Sequence, residues 1–359
     1  MDIDFKQYKY YPIIRTRQAE LNGYSHLSDD DKDNVIPLLT LGKWRNSDGC
    51  EKAIAKINEC VGNRNYILDL TRELQHQNQA VRDLMDPTSN FKNWVDFVEK
   101  NTKIIPAVQF TPGAKGRDIV RQAINLERLD RPLVFRIKDF KTDLENTLSA
   151  LYAIDNPEKS LIVIDAGYIR DISTKNIKPG VLESILKTIN TIVEEVPEVP
   201  RVLAGTSFPR SVTTYLNEGS ETSGKIDILE NILYEEIGSD IVIYGDHASI
   251  HSVVYDDEGG VFLPRLDVPS DGFWFFERRP RTKGEGYIDA ATVLLKEHPE
   301  IADIECWGAQ MLKNTISRVG DTINAPVTAI AVRVNLHIKY QLDRLMNENL
   351  DNADDDWIL

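Results

Sequence analysis

Asp246 and His247 directly follow a run of β-branched and aromatic residues, Ile241 to Tyr244, with only Gly245 between. A strand that ends on a carboxylate and an imidazole can bring a general base, a proton relay or a metal ligand to a site at its tip. Neighbouring side chains of an extended chain face opposite sides, so only one of the pair can enter such a site. A kink at Gly245 would turn Asp246 inward, and Asp246 is the one expected there. His251 follows His247 by four residues. On a helix that spacing could share a metal, but along a strand it separates the imidazoles by about 13 Å, so no metal site is expected. Asp165 in "VIDAG" and Arg136 in "VFRIK" are each flanked by apolar residues. A charge in such a run is buried and needs a partner of opposite sign, either in a working site or in a structural Arg–Asp bridge; both readings stay open. Asp165 and Asp246 are therefore the candidate acid/base groups. Arg136, Lys138 and Lys43 are candidate ligands for a phosphate or carboxylate. Glu277, Arg278 and Arg279 join them from "FERRPRTKGEG", the densest basic stretch of the chain.

These residues sit at the ends of short apolar runs: "VIPLLTL" (35–41), "YILDL" (66–70), "IIPAVQF" (104–110), "PLVFRI" (132–137), "LIVIDAGY" (161–168), "RVLAGTSF" (201–208), "IVIYG" (241–245) and "FWFFER" (273–278). Continuous rather than alternating hydrophobicity marks strands buried on both faces, as in parallel sheets. Between them lie segments with helical spacing, such as Leu182, Ile185, Leu186, Ile189, Val193 and Val196. A strand–helix unit of roughly 30–40 residues is the βαβ pattern. Eight such strands predict a TIM-like (β/α)8 barrel over 31–286, with a doubly wound open parallel sheet as the alternative. The weak joint is 248–272, which has no helical period and reads as a hairpin around Asp257–Gly260 and a Pro-rich loop. Residues 1–30 form a strand–helix addition packed on the barrel, 287–348 a helical extension, and 349–359 an acidic flexible tail. In a barrel the chemistry sits at the C-terminal ends of the strands. Those ends also hold Arg45, Asp69, Thr71, Gln109, Thr111, Tyr168, Thr206 and Ser207, a ring of both signs suited to an anionic or zwitterionic ligand.

Composition narrows the function classes. The chain has 359 residues and a formal net charge of −15, which argues against a broad grip on a nucleic-acid backbone. Three cysteines without metal-ligand spacing point to a reducing compartment. No apolar run approaches the ~20 residues of a membrane span, and the first residues lack a signal-peptide core. A cytoplasmic protein is expected. "TPGAKGRD" (111–118) lacks Walker spacing and reads as a βα turn. The acidic end, "ENLDNADDDWIL", is tipped by Trp357, Ile358 and Leu359, and an apolar tip on an acidic segment suits a partner's basic groove.

The opening "YYPIIRTRQAELNGYSHLSDDDKDNVIPLLTL" resembles that of the phage Beta protein family, Y-x-P-I-[LI]-[KR]-x-[KR]-x-x-E-[LF] followed by a P-[LI]-[LI]-E strand. "LIVIDAGYI", "FWFFERRP" and "AVRVNLHIKYQ" are similar to its later blocks, in the same order. The chain departs from the pattern at Thr40, where a Glu is expected after "PLL", so a role resting on that Glu is in doubt here. The resemblance implies a phage, prophage or anti-phage defence setting and carries over no catalytic residue. Two function classes remain open. One is a binding component of such a system, with a protein partner or an anionic small molecule or nucleotide as ligand. The other is a hydrolase of phosphate esters, with or without metal, which requires two carboxylates and a cation within ~3 Å of one substrate atom. The sequence names no cofactor.

Overall fold

The runs of Val, Ile, Leu and Tyr do form parallel strands. The computed structural model describes all residues except 2, 46, 254–262, 281–284 and 356–359, and for 348–355 the backbone alone. The strands are β1 (Tyr10–Arg15), β2 (Leu38–Leu41), β3 (Tyr66–Leu70), β4 (Ile104–Pro106), β5 (Val134–Ile137), β6 (Leu161–Tyr168), β7 (Arg201–Thr206), β8 (Ser223–Asp227), β9 (Ile243–Asp246), β10 (Arg265–Ser270) and β11 (Phe273–Arg278). Eight of them pair in the order β4-β3-β2-β1-β9-β7-β6-β5, every neighbour parallel. Just past β4, Ala107 bridges Val134 of β5, and Val108 N donates to Val134 O at 2.9 Å. The sheet therefore closes on itself as a TIM-like α/β barrel, which rules out the open-sheet alternative.

The eight strands are not the eight expected. The first is β1, from the segment expected to pack outside the barrel, and the barrel runs from there to β9. The run Phe273–Arg278 was expected to supply the last strand. It lies instead in a separate antiparallel sheet of order β10-β11-β8. The break falls where the helical period disappeared, after residue 247; the hairpin expected around Asp257–Gly260 lies outside the described residues.

Alternation along the barrel strands sorts the side chains. Ile13, Leu38, Ile67, Ile105, Val134, Val163 and Val202 fill the interior. Their sequence neighbours, Ile14, Leu39, Leu68, Phe135, Ile162 and Leu203 among them, face outward into the layer of helices. The helix Val181–Glu195 buries Ile185, Thr188, Ile189 and Ile192, the stripe that 3.6-residue periodicity dictates. The C-terminal helix, Pro326–Asp355, packs against β1, the helix Gln18–Ser25 and β10, and so ties the second sheet to the barrel.

Candidate functional site at the barrel mouth

Two residues beyond five of these interior apolar positions, the same alternation puts a polar side chain at the C-terminal mouth. These are Arg15 on β1, Thr40 on β2, Asp69 on β3, Arg136 on β5 and Asp165 on β6. His247 just beyond β9 and Gln109 beyond β4 complete the layer. Arg136 is the hub. Its Nε and Nη2 donate to Asp165 Oδ2 at 3.0 and 2.7 Å, and its Nη1 donates to Asp69 Oδ2 at 2.9 Å and to the Thr40 hydroxyl at 3.0 Å. The departure at Thr40 thus has a structural place, since its short hydroxyl accepts from the guanidinium.

Asp165 is saturated with donors. Its Oδ1 accepts from His247 Nε2 and from Gly167 N, both at 2.9 Å. Burial alone would raise this carboxyl, but His247 and Arg136 outweigh it and hold the group well below the usual carboxylate range. An ionised Asp165 fixes the His247 proton on Nε2 and leaves Nδ1 as the basic nitrogen. Asp69 is held by Gln109 Nε2 at 3.2 Å and the Leu70 N–H at 2.8 Å, besides Arg136. The two carboxylates keep Arg136 charged against the cost of burial.

Above this network opens a small pocket lined in part by Arg15, Arg72, Arg136, Lys138, His247 and Ser252, with about 30 Å³ of enclosed space, roughly the volume of one water. Arg15 is paired with Glu20 at 3.2 Å and Arg72 with Asp143 at 2.6 Å. The Lys138 ammonium has no hydrogen-bond or ion-pair partner among the described residues. Desolvation and repulsion from Arg136, against the pull of Asp165, hold it below the ordinary lysine range, though the residue as a whole reaches solvent. Arg15 Nη1 is buried without a hydrogen-bond partner.

Asp246 does not enter the mouth. It is fully buried on the outer face of β9, where Tyr10 OH donates to it at 2.5 Å, Tyr244 OH at 3.0 Å, His337 Nε2 at 2.7 Å and the Ala248 N–H at 2.7 Å. Burial would raise this carboxyl too, but His337, Tyr10 and the Ala248 N–H outweigh it and lower it. Beside it, Glu230 is pushed up to about 7 by burial and the Asp246 charge, while Ser207 hydrogen-bonds to it. Asp165 and Asp246 thus lie on opposite faces of the barrel wall and cannot act on one substrate atom, and His247 is the neighbour that faces inward. No group of three His, Cys, Asp or Glu among the described residues is arranged to hold a metal.

The remaining candidates scatter. Lys43 is exposed on the rim after β2. Glu277, Arg278 and Arg279 end β11 and do not line the mouth pocket; Glu277 pairs with Arg279 and Ser223, and Arg278 Nε donates to Glu221 O at 2.9 Å. The rest of the basic loop at 281–283, and the tail residues Trp357, Ile358 and Leu359, lie outside the described residues. Arg15, Arg72 and Ser252 line the pocket without having been singled out in the sequence. The alternation Tyr11, Ile13, Arg15 held the signal for the first.

Among the described residues, no helix is long and apolar enough to cross a membrane. The family model described as Beta protein matches residues 10–343. The chain is 40% identical over 363 residues to "Protein beta" of Enterobacteria phage P4, and the match covers all of both chains. The span matched takes in every barrel strand, the second sheet and most of the C-terminal helix, and on that ground the chain belongs to the Beta protein family.

Proposed function

We propose that the barrel mouth binds the anionic group, phosphate or carboxylate, of a small ligand. The observation that carries this reading is the Lys138 ammonium, which lines the pocket beside Arg136 and has no partner among the described residues. The balance of sign agrees with it. Arg15, Arg72, Arg136 and Lys138 line the pocket against Asp69 and Glu73, in a chain whose formal net charge is −15. The enclosed space is too small for a whole phosphate, so the anion sits over the opening, with the Arg136 network as its rigid floor. Similarity to a phage protein supports a setting in phage or prophage biology or in bacterial defence against phage, where ligand binding would govern engagement of a protein partner in the cytoplasm. Calorimetric titration with inorganic phosphate at low ionic strength tests the reading. The wild type releases or absorbs binding heat, and Lys138→Ala weakens affinity about tenfold or more, the worth of one charge-assisted hydrogen bond. Wild-type protein that binds no phosphate overturns it.

The Asp165–His247 pair favours one second reading. A carboxylate that orients an imidazole lining the pocket is suited to acid–base work on a bound phosphate ester. Because Asp165 already accepts from Arg136, His247 and Gly167, it would serve as a positioning group rather than as a metal ligand. Turnover of a phosphomonoester that disappears in His247→Gln would support hydrolysis over binding alone.

A further inference from the structure

Asp246 stays out of the mouth, yet it is tied to the residue that enters it. Just beyond His247 the chain turns through Ala248 and Ser249, at φ of 48° and 61°. Both residues are buried. Two successive non-glycine residues in the left-handed region are strained, and such strain persists only where the surroundings over-determine it. On one side His247 N donates to Gly205 O of β7 at 3.2 Å, and Ile250 N closes the turn on His247 O at 2.9 Å. On the other side the Ala248 N–H donates to Asp246 Oδ1 at 2.7 Å. That carboxylate is itself held from two further elements, by Tyr10 OH of β1 and by His337 Nε2 of the C-terminal helix. Trp274 Nε1 of β11 fixes His337 in turn, donating to its Nδ1 at 3.1 Å. A line of hydrogen bonds thus runs from the second sheet to the turn on the outer face of the barrel wall. Across the peptide link between Ala248 and His247 it continues inside, from the imidazole to Asp165 and Arg136.

We propose that Asp246 is a positioning residue for the mouth: through the Ala248 N–H it holds the left-handed turn that sets the His247 imidazole on Asp165. This deepens the reading of the mouth as an anion site and rests on it for its consequence, because His247 lines the same pocket as Lys138 and Arg136. The adjacent pair then shares one task across the wall, Asp246 as the clamp outside and His247 as the clamped group inside. If Asp246 served only to satisfy Tyr10, Tyr244 and His337, its loss would weaken the fold and leave His247 in place.

The test reads the ring nitrogens of His247 in the full chain by proton–nitrogen correlation spectra of labelled histidine, with the signals assigned by their loss in His247→Gln. Wild type is expected to show a proton fixed on Nε2. Asp246→Ala is expected to release the ring, so that its signals average between the two tautomers, and to weaken phosphate binding at least about threefold in calorimetric titration. Asp246→Ala leaves several buried donors unanswered, which endangers folding. A second variant therefore removes only the bond at issue: lactic acid at position 248 puts an ester in place of the Ala248 N–H and leaves the carboxylate its other three donors. It is expected to behave like Asp246→Ala. Tyr10→Phe is the control. It takes a donor from the same carboxyl oxygen, spares the Ala248 contact, and should lower the urea midpoint with the His247 spectrum unchanged. A wild-type His247 spectrum in the ester variant overturns the positioning role, and so does a Tyr10→Phe spectrum as altered as that of the ester variant. The spectra are taken without anion, so a wild type that binds no phosphate overturns the anion site separately.

Discussion

A Cβ at position 245 would lie 2.7 Å from Val202 Cγ1 and 3.0 Å from Tyr11 O, so glycine is required there for space in the barrel interior. It does not kink the strand. β9 runs through it to Asp246, and the alternation continues unbroken to His247. That single misjudged residue explains why Asp246 was expected inward and His247 was not. Arg136 and Asp165 were legible because a charge inside an apolar run has to find its opposite. Glu230 was not legible, since its burial depends on how a helix packs over β7 and β9. It does carry a sharp prediction. Its folded-state value of about 7 lies above the unfolded value of about 4.3, so the folded state holds the extra proton between them. Stability is therefore greatest below the unfolded value and falls as pH rises through 7, by on the order of 3 kcal/mol. Chemical denaturation of wild type and Glu230→Gln from pH 5 to 8 reads this directly. The difference in stability should shift toward the variant as pH rises; a pH-independent difference would contradict the assigned burial.

At the scale of elements, strand spacing revealed the barrel but not its membership. "YYPIIR" was read as the strand of an addition packed on the barrel, yet it is the strand between β2 and β9. The missed strand took Arg15 with it, and hence one wall of the pocket. "FWFFER" is as apolar as any barrel strand, and apolarity alone does not say which sheet a strand joins. Its pairing with β10 and β8 is antiparallel, a property set by partners distant in sequence. The C-terminal helix secures this arrangement through His337, which accepts from Trp274 Nε1 at 3.1 Å and donates to Asp246 at 2.7 Å. Replacing it by leucine strands both partners in the interior. His337→Leu should cost about 3 kcal/mol, seen as a lower urea midpoint at unchanged slope. A loss within ~0.5 kcal/mol, the size expected of a surface change, would mean that the helix is held by apolar packing alone.

Over the whole molecule, charge is partitioned. The chain is strongly acidic, yet the barrel mouth and the adjoining rim gather Arg15, Arg17, Lys43, Arg72, Arg136 and Lys138. An acidic body repels polyanions at long range, where unscreened net charge decides, and under the proposed function a small anion that reaches the mouth would be held there by Lys138 beside Arg136. The strands carry the network, the loops carry the rim, and the second sheet and C-terminal helix brace the outer wall of β9 behind His247. A crystal of the protein soaked in tungstate, a tetrahedral dianion like phosphate with strong anomalous scattering, tests the central claim most directly. The account predicts an anomalous peak over the mouth within hydrogen-bonding distance of Lys138 Nζ, its height lost in Lys138→Ala. A clear peak elsewhere on the molecule with the mouth empty would contradict it.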